Sequence, residues 1–445
     1  MKKTVLLFFI GQFFLMHVYA QKGYHFKNAS MRKQRVSFRL INNLVVIPLE
    51  INGKKLSFIL DSGVSKTILF NITKNDSIGL NDVEKVALQG LGKSEPVEAL
   101  LSKNNTISLK NITSANETIY VVLKDNFDLS AKMGITIHGI LGYSLLRNFI
   151  VKINYKSKKI DFFNRKTYQP KKCRKCETFP IQFYRKKPFI DAQVQLDTLG
   201  NALTKVKLLI DSGGSDALWF FEGTKNQIKT PKRFFRDVLG EGLSGAIYGN
   251  RSRIPKVKLK SFEIESPTAS FLDSSSTSNA RAFKKRNGSI GAGILKRFIV
   301  WFNYPNQQFV LKKNGSLKSG FNYNMSGLDI VYNGKQLVKE KDVKKITDAY
   351  NQQVSTNNSI SFITSYSYKF KTSYKIKGVL ENSPAYKAGL QKEDVILRIN
   401  NKSVHEFTLG DILIKLREKD GKKIKMLIER AGVEMEFEFR LEKKV

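Results

Sequence analysis

One internal repeat constrains this chain more than any other feature. Lys55-Leu56-Ser57-Phe58-Ile59-Leu60-Asp61-Ser62-Gly63 returns as Lys205-Val206-Lys207-Leu208-Leu209-Ile210-Asp211-Ser212-Gly213, 150 residues later. A second pair keeps the same order at an offset of 149. Gly139-Ile140-Leu141-Gly142, with Leu146-Arg147-Asn148-Phe149-Ile150-Val151 and Asn154-Tyr155 after it, returns as Gly288-Ser289-Ile290-Gly291, with Leu295-Lys296-Arg297-Phe298-Ile299-Val300 and Asn303-Tyr304 after it. Two motifs recurring in one order at one spacing mark a duplicated unit. The chain is therefore expected to fold as two similar lobes, 39–164 and 181–313.

Each unit reads as β. Short apolar runs at 44–51, 119–123 and 256–262 are separated by Asn, Gly, Ser and Lys. Hairpins are expected at 149–155/159–163 and at 298–304/308–312, each preceded by a helical turn or two, at 145–150 and 295–299. Between the lobes, 165–180 reads as a linker with Pro170, Pro180, basic residues and the only two cysteines, Cys173 and Cys176. Composition shifts again near 314–326.

In each unit an apolar strand delivers a carboxylate, Asp61 or Asp211, into a glycine turn. Gly63 and Gly213 let the backbone pass closely. Ser62 and Ser212 are support residues that can bond the carboxylates or the turn backbone, as can Ser65 and Ser215. About a pseudo-twofold axis the two loops meet at the seam. Two carboxylates that close share one proton. The ionised one can then take a proton from water while the neutral one polarises a carbonyl, which is general acid–base chemistry without a covalent intermediate. The plainer alternative is that both Asp residues only form turns; it leaves the paired Gly elements unexplained.

Apolar-apolar-Asp-Ser-Gly followed by apolar-apolar-Gly resembles the lobe signature of the pepsin/retropepsin superfamily, over about 39–313. The resemblance implies an all-β bilobal acid-protease fold. It also implies a catalytic pair Asp61 and Asp211, a polypeptide substrate, and no metal or organic cofactor. Three departures stand out. Ser289 occupies a position usually apolar. The loops continue as Asp-Ser-Gly-Val and Asp-Ser-Gly-Gly. No aromatic residue lies between Phe70 and Tyr120, so the flap is placed at Gly90-Leu91-Gly92 with an aliphatic tip, and its second-lobe counterpart near 239–242.

The C-terminal segment, 322–445, has another pattern. A strand at 375–380 precedes Ser383-Pro384, which can cap and start a helix, with Gly389 closing it. A strand at 394–400 and a helix at 408–417, with Leu409, Ile412, Leu413 and Leu416 on one face, follow. This series resembles the PDZ domains attached to envelope proteases, a β-rich α+β fold. Such domains add an extended peptide, often a C-terminal segment, to a sheet edge. The groove is expected between the strand after Gly327-Leu328, with Ile330, and the helix carrying Ile412. A domain that only braces the lobes is the alternative.

Lys2 and Lys3, an apolar run to Met16 and Ala20 read as a secretory signal over 1–20. The run is short for a membrane span, so no stable span is expected after its removal. The chain is then expected in the periplasm, or otherwise secreted or held in the cell envelope. In an oxidising compartment, Cys173 and Cys176 are expected to form a local disulfide. Two cysteines are too few for structural zinc, and four scattered His offer no catalytic metal site. The net charge of +38 is spread along the chain. It reads as a solvated lysine surface with attraction to anionic envelope polymers or acidic substrates, rather than as a nucleic-acid interface. The expected function is an exported aspartic endopeptidase. The rivals are a catalytically inactive peptide-binding envelope scaffold and a charge-driven surface adhesin.

Overall fold

A computed structural model describes residues 23–72, 78–88, 97–123, 129–197, 200–242, 245–345, 355–356, 359–360 and 362–445. The proposed signal and the flap residues Gly90, Leu91 and Gly92 lie outside these.

Both lobes are built around the strand that ends at the aspartate. In the first lobe Lys54–Leu60 runs antiparallel to Leu44–Ile51 and parallel to Gly139–Leu141. In the second, Thr204–Asp211 runs antiparallel to Lys187–Gln195 and parallel to Gly288–Gly291. Ile47 faces Phe58 and Ile190 faces Leu208, so the duplication extends to strand register. These central strands are buried on both faces, which is why Phe58-Ile59-Leu60 and Leu208-Leu209-Ile210 read as continuous apolar runs rather than alternating ones.

A six-stranded sheet joins the lobes. The two expected hairpins appear as Phe149–Asn154 with Lys159–Asn164 and Phe298–Asn303 with Gln308–Lys313, and Phe149–Asn154 pairs directly with Phe298–Asn303. Phe162, Phe298, Phe302 and Phe309 are fully buried on this sheet, each contributing roughly 1.5–3 kcal/mol of burial. Its outer strands are Lys33–Ser37 and Cys176–Pro180. The first lobe therefore begins before residue 39, and the end of the expected linker is a strand of the shared sheet. The helical turns fall earlier than expected, at Tyr143–Leu146 and Ala292–Leu295, because Phe149 and Phe298 are already paired in strands. Cys173 and Cys176 are disulfide-bonded, with Cα atoms 5.5 Å apart.

The C-terminal domain has its own core, from Tyr323 and Met325 to Leu441 and Val445. The boundary is sharp: Phe321 belongs to the core of the lobes, under the Arg297 guanidinium at 3.5 Å, whereas Tyr323 accepts from the Val445 amide at 2.9 Å. Ser383 caps a helix over Pro384–Lys387 and Gly389 sits at φ +95° beyond it. Thr408 and Asp411 form a capping box for Leu409–Lys415. Two strands, Leu328–Lys345 and Phe362–Val379, run much further than the domain needs.

Candidate active site

The strand ends bring Asp61 and Asp211 together at the seam. A β-carbon at Gly63 would stand 3.0 Å from Asp211 Oδ1 and 3.1 Å from Asp61 Oδ1, so both carboxylates crowd one glycine. A β-carbon at Gly213 would collide with the Asp61 carboxylate. Glycine is needed at both positions for close approach, not for a special φ. The Gly63 amide donates to Asp61 Oδ1 at 2.6 Å, and the Asp61 amide donates to Leu141 O at 2.9 Å, which ties the loop to the parallel strand. Gly142 and Gly291 sit where a β-carbon would strike the carbonyls of Asp61 and Asp216. That contact explains why each aspartate motif has a glycine partner about 80 residues later.

The two serines bind across the seam rather than to the carboxylates. Ser62 Oγ donates to Ile210 O at 2.7 Å and accepts from the Ser212 amide at 3.0 Å. Ser212 Oγ donates to Leu60 O at 2.9 Å and accepts from the Ser62 amide at 2.9 Å. Both side chains are buried. Each hydroxyl thus satisfies one donor and one acceptor of the opposite loop. The duplication becomes a reciprocal lock that fixes the loops relative to each other.

Burial pushes the Asp61 carboxyl up to about 7, with Asp211 adding to the shift, while the amides of Gly63 and Gly213 and the Lys187 ammonium oppose it. Lys187 opens the strand before Asp211. Burial and Arg286 lower its pKa, and both aspartates raise it. Arg286 is buried beneath the same site. Its Nη2 donates to Ser289 Oγ at 2.7 Å, its Nε to Gly288 O at 3.1 Å, and its guanidinium lies 4.7 Å over the Phe221 ring. Burial lowers its pKa to about 10 and Asp211 counteracts this. Ser289, unusual in the motif, is therefore the partner of a buried arginine. Sequence reading missed Lys187 and Arg286, since nothing in a repeat search marks a residue that only one copy carries. It also missed Asp216, which accepts from Arg251 Nη1 at 3.0 Å and Trp219 Nε1 at 2.8 Å and stiffens the second loop.

The hairpin expected opposite the first-lobe flap exists, as Phe235–Gly242 with Gly245–Arg253, and Leu239 packs into the second lobe against Phe221, Ile247 and Leu272. Of the expected PDZ groove, Leu328, Ile330 and Ile412 are buried and Gly327 has φ +83°. The edge strand and the helix do lie side by side, but they are not open. The first-lobe helix Leu129–Met133 packs on both. Lys132 Nζ is 3.6 Å from Asp329 Oδ2, Asn42 Nδ2 donates to Lys132 O at 3.0 Å, and a β-carbon at Gly134 (φ +66°) would stand 2.9 Å from Leu409 Cβ.

Residues 47–145 match the aspartyl protease family and residues 375–430 the PDZ domain family. A probable CtpA-like serine protease of Staphylococcus saprophyticus is 33% identical over 100 residues, 20% of each chain. The carboxy-terminal processing protease CtpA of Bacillus subtilis is 39% identical over 54 residues, 12% of each chain. The chain thus spans a fifth or less of those relatives. A solved aspartic proteinase from Irpex lacteus is 13% identical, with a TM-score of 0.44 over 64% of this chain and 99% of that one. By the sequence families matched, the chain joins an aspartyl protease domain to a C-terminal PDZ domain.

Proposed function

We propose that the protein is an aspartic endopeptidase in which Asp61 and Asp211 activate one water between them. The observation that carries this is the convergence of both part-buried carboxylates on Gly63, with Asp61 also against Gly213, in an environment that keeps one proton on the pair up to about pH 7. Asp61, whose carboxyl is pushed up to about 7 by burial, is the neutral partner that donates to the carbonyl oxygen of the scissile bond. Asp211, the carboxylate coupled to the buried Arg286, is the ionised partner that takes a proton from water. The hydroxide equivalent adds to the carbonyl carbon, and the tetrahedral intermediate collapses as a proton passes to the leaving amine. The serine protease names of the short-range relatives do not transfer: each shared stretch is at most 22% of the chain, and the geometry at the seam is that of a carboxylate pair.

Polypeptide would reach the PDZ groove only when the packing of Leu129–Met133 on its edge strand and helix opens. Export fits the charged and apolar residues at 1–20 and the disulfide at Cys173 and Cys176, a bond that persists in oxidising compartments. The test is cleavage of a peptide library from about pH 3 to 9, a range that brackets such a pair. The wild-type protein should cleave below about pH 7, and Asp61→Asn or Asp211→Asn should abolish turnover. An inert wild type, or equal cleavage by either variant, rules the mechanism out and leaves the inactive scaffold.

A further inference from the structure

The two long strands of the C-terminal domain leave their sheet. Phe362–Val379 pairs with the next strand only at Tyr374 and Lys375. Before that point it pairs with Leu328–Lys345 alone, from Lys335 opposite Thr372 to Lys345 opposite Phe362. Eleven residues per strand, at about 3.3 Å each, make a two-stranded ribbon roughly 35 Å long. Such ribbons are marginal in water without a third layer.

The two faces of the ribbon differ. Directly opposed residues share a face, so Lys335, Leu337, Lys339 and Lys341 line up with Thr372, Phe370, Tyr368 and Tyr366. Leu337 is 54% exposed, Tyr366 57%, Tyr368 63% and Phe370 69%, far more than an ordinary sheet face leaves in water. Over 335–341 this face has three lysines and no acid; among the described residues none of the three is in an ion pair, and Lys339 Nζ lies 4.1 Å over the Tyr366 ring. On the other face Glu340 takes both Lys369 and Lys371, at 2.9 and 2.8 Å, so the lysines of that face are already engaged by an acid of the ribbon.

We propose that this ribbon docks the protein on an anionic bilayer surface. Its Leu337, Tyr366, Tyr368 and Phe370 side chains enter the headgroup region, and Lys335, Lys339 and Lys341 meet lipid phosphates. Tyrosine and phenylalanine gain by burying their rings at such an interface, and tyrosine keeps its hydroxyl wet. Lysine stems lie along apolar surface with the ammonium outward. A second copy of the chain is a poorer occupant, because a twofold contact would set like charge against like. No described helix is long and apolar enough to cross a membrane, so the contact is with the surface.

The experiment is co-sedimentation of the purified protein with phosphatidylcholine vesicles and with vesicles containing phosphatidylglycerol. Binding is expected only to the second kind and should weaken with salt. Lys335→Gln/Lys339→Gln/Lys341→Gln should lower partitioning roughly a hundredfold. Tyr366→Ser/Tyr368→Ser/Phe370→Ser should lower it at least as much. The exposed control triple Lys156→Gln/Lys158→Gln/Lys166→Gln, on the first lobe, removes the same charge and should retain most binding. Circular dichroism shows that the variants fold. Equal loss in the control means that net charge alone is responsible and overturns the proposal. So does wild-type binding by ribbon variants, tighter binding to soluble polyphosphate than to vesicles, or a change in oligomeric state without vesicle binding.

Discussion

Ser212→Ala removes one hydroxyl and leaves two buried groups without partners, the Leu60 carbonyl and the Ser62 amide. Each orphan costs about 1–3 kcal/mol, so the lock should lose about 2–6 kcal/mol, a large share of the roughly 5–15 kcal/mol that holds a typical domain. By the symmetry of the contact, Ser62→Ala orphans the Ile210 carbonyl and the Ser212 amide and should cost the same within about 1 kcal/mol. At roughly 2–4 °C per kcal/mol for lobes of this combined size, either variant should unfold about 4–24 °C lower in a thermal melt. Turnover should fall in step, because the same bonds hold the carboxylates in register. The double variant should cost less than the two singles together, since their four orphans lie in one network. A melt unchanged by either serine, or a large effect from one and none from the other, would show that the reciprocal lock does not hold the lobes together.

Lys187→Gln removes a cation that stabilises the ionised pair, so the alkaline limit of cleavage, expected near pH 7, should move upward in the pH–rate profile. Stability should follow pH in a defined sense. Asp61 keeps its proton to about pH 7 when folded and to about 3.9 when unfolded, so the folded lobes bind the extra proton in that window and stability falls as pH rises through it, at up to about 1.4 kcal/mol per unit. Asp61→Asn should flatten that slope in denaturant titrations at successive pH values. Gly134→Val combines strain at φ +66° with a collision against Leu409; it should loosen the first lobe from the PDZ domain, seen as faster proteolysis between the two with little loss of lobe structure. Arg251→Met removes the cation bonded to Asp216 and Asp237, leaving only the charge of Arg417 near them, and should cost about 3 kcal/mol in a denaturant melt.

What the sequence disclosed is what duplication and local chemistry disclose. Asp61, Asp211 and their glycines were legible because each motif occurs twice and because a strand, a turn and a close approach each restrict residue type. Both hairpins of the shared sheet and the cap Ser383 were legible for the same local reasons. The role of the serines was not. A hydroxyl that can bond a carboxylate or a backbone looks the same in sequence, and only the packing of one lobe on the other sends it across the seam. The closure of the PDZ edge by Leu129–Met133 was invisible too, because it depends on how two domains meet. The ribbon was masked by composition. Its Lys, Tyr and Ser offer no apolar run, and period-two patterning marks a strand without saying which face stays wet.

The duplication also shows where the two halves stop being equivalent. Strand register makes Lys187 the counterpart of Leu44, through Ile190 opposite Leu208 and Ile47 opposite Phe58. The second glycine motif makes Arg286 the counterpart of Ile137. Leu44 and Ile137 are buried in an apolar cluster of the first lobe; Lys187 and Arg286 bring two cations to the dyad from the second. A symmetric pair of carboxylates has no reason to place its proton on either member. Arg286, coupled to Asp211, breaks that degeneracy and favours charge on the Asp211 side, leaving the proton on Asp61, while Lys187 faces both carboxylates. The backbone lock is symmetric because it must hold both loops alike, whereas the electrostatics are asymmetric because one carboxylate has to act as acid and the other as base. The repeat thus provides the geometry of the site, and the positions where the repeat fails provide its chemistry.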